Sequence, residues 1–358
     1  MSDVLIKQQT TRTSSTPLRE GRPRVSVIMP FKDSARFIDV SIASVLAQTW
    51  AHLELICVDD RSTDESADIV RRFAAADGRI KLIANENRPG VAGALNTGLT
   101  HARAEFVARI DSDDIAMQNR IATQVRFMDA HPEVALCGTW VRTIGVDDGN
   151  VWRYPVSHEE ICVAMLFCCA LAHPTVMFRR GEFEKFELRY NEAFQTQDYE
   201  LWTRAARKIK LANIPEILLQ YRIHSANVSR TAQPRLVADA RAIHERQLRE
   251  LGLIPSAEEL DLHWRISRTQ FEKTLQFKDR AAEWFEKLKA ANETAGIFDR
   301  EQLTRFLTSK LNKIRVVAVT PPILLPLVKK SYRAGRAVFR RAAGRARRLM
   351  GSSGTVEL

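Results

Sequence analysis

Between Arg24 and Trp140, short β-branched runs alternate with amphipathic stretches of helical period, and few chain architectures accept that alternation. Strands are expected at Val25–Pro30, Leu53–Val58, Ile80–Ala84, Phe106–Ile110 and Val134–Cys137. Ile38, Ile42, Val45 and Leu46 recur at helical spacing between the first two, and Ile69, Val70 and Phe73 between the next two. Both read as crossover helices, so the pattern predicts an α/β fold with a mostly parallel sheet flanked by helices. Ligands of such sheets bind beyond the carboxyl ends of the strands. Here those ends carry Lys32-Asp33, Asp59-Asp60 and Asp111-Ser112-Asp113-Asp114, which delivers carboxylates from three strands to one rim.

After Trp140 the alternation loosens into a second half that is expected to complete the sheet and end near Ser229. From Gln233 to Leu311 the periodicity is almost wholly helical. The expected organisation is a flexible polar tail at 1–23, a catalytic domain at 24–230, a helical extension at 231–313 and an apolar, then basic, tail at 314–358. A hydrophobic content of 45% supplies a core without disulfides, and the five cysteines lack paired metal-ligand spacing, so buried free thiols and a reducing compartment are expected. Residues 1–22 are polar with no apolar core of signal-peptide length, which points to the cytoplasm. The stretch Val316–Val328 is too short to span a bilayer and is broken by Pro321, Pro322 and Pro326. The net charge of +11 owes nine positives to the run from Lys329 to Arg348, and without them the chain is close to neutral.

Two aspartates one residue apart at a strand end can give oxygen ligands to Mg²⁺ or Mn²⁺ while leaving coordination positions for phosphate and water. Asp113 or Asp114 could equally cap a helix expected to begin near Ala116. Asp60 can accept from a uracil N–H or a ribose hydroxyl, or its segment can be a turn and N-cap. The loop Asn87-Arg88-Pro89-Gly90 runs into a small-residue helix whose N-terminus can approach a nucleotide closely, with Arg88 available to phosphate. Asp198, at the start of a helix through Arg207, is either a cap or a general base. Arg222 and His224 stand at period two in a strand, on one side, where both can meet phosphate or metal.

In order, these segments resemble the family 2 glycosyltransferases, inverting enzymes of the GT-A fold, over residues 24 to 229. The resemblance runs through Val25-Ser26-Val27-Ile28-Met29-Pro30, Val58-Asp59-Asp60, Ala94-Leu95-Asn96-Thr97-Gly98, Asp111-Ser112-Asp113-Asp114, His173-Pro174-Thr175, Gln197-Asp198-Tyr199 and Tyr221-Arg222-Ile223-His224. Asp33 stands where the family more often has Asn, and Gln197 where it has Glu. The resemblance implies donor-nucleotide contacts at Pro30, Asp33, Asp60, Arg88, Asp111, Arg222 and His224, with Asp60 on the base and Asp111 on the ribose. It implies a divalent metal, Mn²⁺ or Mg²⁺, at Asp113 or Asp114, the general base at Asp198, and an acceptor side that includes His173 and Trp202. The partners it implies are a nucleotide-sugar donor, UDP first, and a glycan or lipid-linked acceptor.

A nicotinamide-dependent dehydrogenase would need Gly-x-Gly-x-x-Gly after the first strand, where this chain has Pro30-Phe31-Lys32-Asp33. A metal-dependent nucleotidyltransferase is the nearer alternative, because its aspartates would serve nucleotide and metal alike. The basic run could attract nucleic acid, which explains nothing about residues 24–229 and is not expected. Leucines and valines among the arginines favour an anionic membrane surface as the partner of 314–348, with the protein peripheral on the cytoplasmic face.

Overall fold

The computed structural model describes residues 23–146, 148–224 and 233–319 of the chain. The expected tails therefore lie largely outside the described residues, as do Ser225–Ser229 at the end of the last motif and Asp147.

At the centre of the sheet, β1 (Val25–Phe31) is buried along its whole length between β2 (Leu53–Asp59) and β4 (Phe106–Arg109), parallel to both. Successive side chains of a strand point to opposite faces, so Ile28 enters one core and Val27, Met29 and Phe31 the other. The polar exception is satisfied: Ser26 Oγ donates to Glu54 Oε1 at 2.6 Å, and Lys81 Nζ reaches Glu54 Oε2 at 2.6 Å. β3 (Ile80–Ala84) adds outside β2, and the chain then returns to the far side of β1 as β4. The strand order thus reverses at β1, which is where an open α/β sheet forms its ligand crevice.

Beyond β4 the sheet becomes mixed. β8 (Met177–Arg179) is antiparallel to both β4 and β6 (Val134–Gly145), β9 (Lys210–Ile223) runs parallel to β6, and β5 (Ile115–Ala116) closes the edge against β9. β7 (Val151–Trp152) pairs off β6. Two expectations are corrected here. The strand expected at Val134–Cys137 continues to Gly145, because its polar residues Thr139 and Thr143 are buried and hydrogen-bonded. No helix begins near Ala116: Ile115 and Ala116 pair with Gln220 and Leu219, and the next helix starts at Arg120.

α1 (Ile38–Leu46), α2 (Ser66–Ala76) and α4 (Arg120–Ala130) cover one face of the sheet. α3 (Val91–His101), α5 (His158–Met165) and α7 (Gln197–Ala205) cover the other, with α6 (Arg180–Lys185) beside them. That second core continues without interruption into the C-terminal helices α8 (Gln233–Glu250), α9 (Ala257–Ser267), α10 (Leu275–Ala295) and α11 (Arg300–Val319). α11 continues through residue 313 as far as Val319.

Polar contacts fix how these helices meet the sheet domain. His263 accepts from Trp284 Nε1 at 3.2 Å and approaches the Leu166 carbonyl at 2.8 Å, while its ring stacks on Phe167 with centroids 4.5 Å apart. Arg246 of α8 and Arg204 both pair with Glu200 of α7, at 2.7 and 2.8 Å. Burial works against the Glu200 charge, yet the two guanidiniums hold its carboxyl below the usual range. Among the described residues no helix is long and apolar enough to cross a membrane.

Candidate active site

A cleft of about 1420 Å³ opens along the carboxyl ends of β1, β2 and β4, and its walls include Pro30, Asp33, Asp60, Arg88, Asp111, Asp113, His173, Asp198 and His224. The loops that frame it are tied to one another by their own carboxylates. Asp33, in the left-handed region at φ 46°, accepts from the Thr63 N–H at 2.7 Å, and its own N–H donates to Ser62 Oγ. Asp60 is 6% exposed; Oδ1 accepts from Asn85 Nδ2 at 2.6 Å and Oδ2 from the Gly90 N–H at 2.8 Å. Both carboxylates therefore brace loops, and Asp60 fixes the turn that presents Arg88 to the cleft.

That turn needs its glycines. Gly90 has φ 122°, a conformation that side chains resist, and a Cβ on Gly93 would lie 1.9 Å from the Arg88 carbonyl oxygen. Arg88 itself is exposed, and its N–H donates to Glu192 Oε2 at 3.2 Å.

Asp111, Asp113 and Asp114 each offer an oxygen, and these atoms lie within 4.8 Å of one another. Arg109 clasps Asp111 through both terminal nitrogens, one at 2.8 Å. Asp113 Oδ2 lies 2.8 Å from His224 Nε2, and its carbonyl accepts from Arg222 Nε at 2.7 Å. Asp114 is fully buried: Oδ1 accepts from the Arg222 N–H at 2.8 Å, while Oδ2 has no partner among the described residues. Arg222 and His224 thus meet the same aspartate, as their period-two spacing requires, and the Arg222 guanidinium also lies 4.7 Å from the Phe37 ring centroid.

Burial pushes the Asp111 carboxyl up to about 6, with Arg109 opposing and Asp113 adding to the rise. It pushes Asp114 well above the usual carboxylate range, helped by repulsion from Asp111 and Asp113. A cluster of hard oxygen donors, mutually repelling and with one buried oxygen unsatisfied, fits a divalent cation.

Asp198 is the second residue of α7, and the N-cap position belongs to Thr196, which makes no side-chain cap bond. Asp198 Oδ1 accepts from the Tyr199 N–H at 2.8 Å and Oδ2 lies 3.8 Å from Cys169 Sγ. Burial raises its carboxyl above the usual range. His173 Nε2 lies 3.0 Å from the Tyr190 hydroxyl, and burial holds its ring well below the ordinary histidine range, so it is neutral at pH 7.

Trp202, expected on the acceptor side, does not line the cleft. It is 0% exposed and packs in the core, edge-on to His173 at 5.8 Å and to Tyr190 and Phe183. One helical turn beyond Asp198, α7 has already left the cleft for the interior. Trp202→Ala is expected to cost about 3–5 kcal/mol in urea unfolding while leaving the affinity for a nucleotide unchanged; a weakened nucleotide with intact stability would contradict the core assignment.

Several cleft residues escaped the sequence reading. Arg109 is 4% exposed, and a charge in an otherwise apolar buried strand, two residues before Asp111, was the signal available for it. Glu192 bonds both Asn96 and the Arg88 N–H. Arg235 and His244 of α8, and Trp264 and Arg268 at the end of α9, complete the far wall, with no local pattern to mark them.

Comparison with known proteins bears on this geometry. The family profile described as Glycosyl transferase family 2 matches residues 26–207. An uncharacterized glycosyltransferase of Haemophilus influenzae is 32% identical over 221 residues, which cover 59% of this chain and 68% of that one. The UDP-Glc:alpha-D-GlcNAc-diphosphoundecaprenol beta-1,3-glucosyltransferase WfgD of Escherichia coli is 32% identical over 207 residues, 57% of this chain and 79% of its own. Among solved structures, TarS 1-349 of S. aureus in complex with UDP-GlcNAc superimposes with a TM-score of 0.56 at 17% identity, covering 82% of this chain and 90% of that one. At that identity the likeness is one of fold.

Proposed function

The chain belongs to glycosyl transferase family 2 and has the GT-A fold, and on that premise we propose that it moves a sugar from a UDP-sugar to a hydroxyl of a lipid-linked glycan, with inversion at the transferred carbon. The observation that carries this reading is the meeting, in one cleft, of the acidic cluster with a separate, half-buried carboxylate at Asp198. The activity named for the Escherichia coli relative, a UDP-glucose donor and a diphosphoundecaprenol-linked acceptor, supports the choice of substrates.

In this reading Asp113 and Asp114 hold a divalent cation, Mn²⁺ or Mg²⁺, and Asp111, already countered by Arg109, is left for the ribose. The ion, when bound, neutralises charge on the donor diphosphate. Asp60 shapes the base pocket through the Asn85–Gly90 turn, and Arg88 reaches phosphate. Asp198 takes the proton of the acceptor hydroxyl as that oxygen bonds to the anomeric carbon. The bond from that carbon to the diphosphate oxygen breaks with its electron pair, and UDP leaves from the opposite face. Arg222 and His224, at the leaving-group end, stabilise the charge that grows there. His173 lines the acceptor side as a neutral hydrogen-bonding group.

Product analysis tests this reading. Acceptor-dependent release of UDP with an inverted linkage is expected; retention of configuration, or release of diphosphate with a nucleotidyl product, would overturn it.

A nucleotide-sugar donor and a lipid-linked acceptor meet at the cytoplasmic face of a membrane, and the basic run within 314–348 would supply contact with anionic lipid. Each basic residue near such a surface is worth about 1 kcal/mol, weakened by salt. Because Ile314 is fully buried in α11, the informative truncation begins after Val319. Loss of binding to phosphatidylglycerol vesicles with unchanged UDP affinity is expected; undiminished, salt-sensitive vesicle binding would remove the tail from the mechanism.

A further inference from the structure

If Asp198 is the base, the acceptor binds in the part of the cleft beside it, and α8 and α9 build one wall there. His244 of α8 is 1% exposed and lines the cleft. Neither ring nitrogen has a hydrogen bond of normal geometry among the described residues; the Phe167 backbone offers a weak one, which leaves at least one nitrogen without a partner. An imidazole buried without a partner is costly, and the cleft is where a partner can come from. Its neighbour His263, with ring centroids 4.9 Å away, has both nitrogens engaged by Leu166 and Trp284, so the pair does not make a two-histidine cation site.

On one side His244 touches Tyr199, the residue after Asp198, with centroids 5.9 Å apart. On the other it meets Trp264, also at 5.9 Å, a half-buried ring that lines the cleft. Arg268 is exposed at the rim with its guanidinium 5.7 Å from the Trp264 centroid, and no ion pair engages it among the described residues. An aromatic plate, a neutral polar ring below it and a guanidinium at the mouth are the groups that a sugar carrying an anionic ester would use.

We propose that Trp264, His244 and Arg268 form the acceptor subsite, taking a sugar 1-phosphate or 1-diphosphate ester with its ring on Trp264, a hydroxyl on His244 and its phosphate on Arg268. The assignment rests on the proposed role of Asp198 and narrows the acceptor to a class. It does not depend on the identity of the donor.

The test is calorimetric, on the full chain, with short-chain alkyl diphosphate esters of N-acetylglucosamine, glucose and galactose, their methyl glycosides, and inorganic diphosphate. At least one ester should bind about tenfold more tightly than its methyl glycoside, and Arg268→Gln should erase that difference. Trp264→Ala should weaken both forms about tenfold. His244→Phe should weaken both while leaving thermal stability equal or higher, because it removes an unpaired polar group; a merely structural His244 would do the reverse. UDP affinity should be unchanged in all three variants. Binding of no ester, binding indifferent to the three substitutions, or inorganic diphosphate bound as tightly as the esters would overturn the subsite. Failure of the wild type to bind UDP would strike the donor reading instead, and the ester titrations, run without UDP, would still decide this one.

Discussion

Replacing Asp198 with Asn is expected to lower kcat by about 10²–10⁴-fold and leave UDP affinity unchanged, because the amide keeps the shape of the carboxylate but cannot take a proton. The variant keeps an oxygen to accept from the Tyr199 N–H at the start of α7, so the helix has no reason to move. The pH dependence follows from the environment. Burial raises the Asp198 carboxyl, and a general base works only when deprotonated. Turnover of the wild type should therefore fall as pH drops through a pKa that lies above the ordinary carboxylate range, and the residual activity of Asp198→Asn should lack that limb. The Cys169 thiol beside Asp198 does not compete for the role, since burial pushes its own pKa well above the usual value. Steady-state UDP release across pH, paired with UDP calorimetry, separates the alternatives. A variant within about threefold of wild type would move the base elsewhere.

The parts of this fold that were legible in the sequence are those whose signal is local. β1, β2 and β4 are short apolar runs buried on both faces, β3 is a short, partly exposed apolar run at the sheet edge, and each is followed by its own crossover. The carboxylates at their ends could be read as one rim because strand direction alone puts them there. β6 and β9 were less legible: they pair in parallel across more than sixty residues of intervening chain, with register shifts at Thr139 and Trp140, and β5 exists only because β9 lies against it. Trp202 shows the limit of face arguments. Asp198 and Trp202 are four residues apart and share a face of α7, yet the helix runs from the cleft into the core, so one face serves both. The α8–α9 wall had no signal at all, since His244 and Trp264 become cleft residues only when the helices dock through Arg246 and His263.

Metal dependence supplies the second large effect, and it carries an internal control of sign. A carboxyl whose pKa is raised on folding destabilises the native state once the pH exceeds its unfolded value, and the penalty is complete above the folded value. Asp114 is in that position, driven up by burial and then by its two acidic neighbours. Asp114→Asn should therefore melt higher than the wild type at pH 7 without metal. Adding Mn²⁺ should reverse the order. An ion that binds only the folded state stabilises it by about 2.7 kcal/mol at a hundred times its Kd, and that gain belongs to the wild type alone. Asp113→Ala should lose the same gain, and with it the increase in UDP affinity expected from Mn²⁺. Turnover in either variant is expected to fall by at least about 10³-fold, the worth of several kcal/mol of charge stabilisation. Thermal melts with and without Mn²⁺ read the first part and calorimetry with UDP the second. If the wild type gains nothing from Mn²⁺ or Mg²⁺ while still binding UDP, the cluster is a buried acid site held by Arg109, Arg222 and His224, and the diphosphate is bound by those side chains instead.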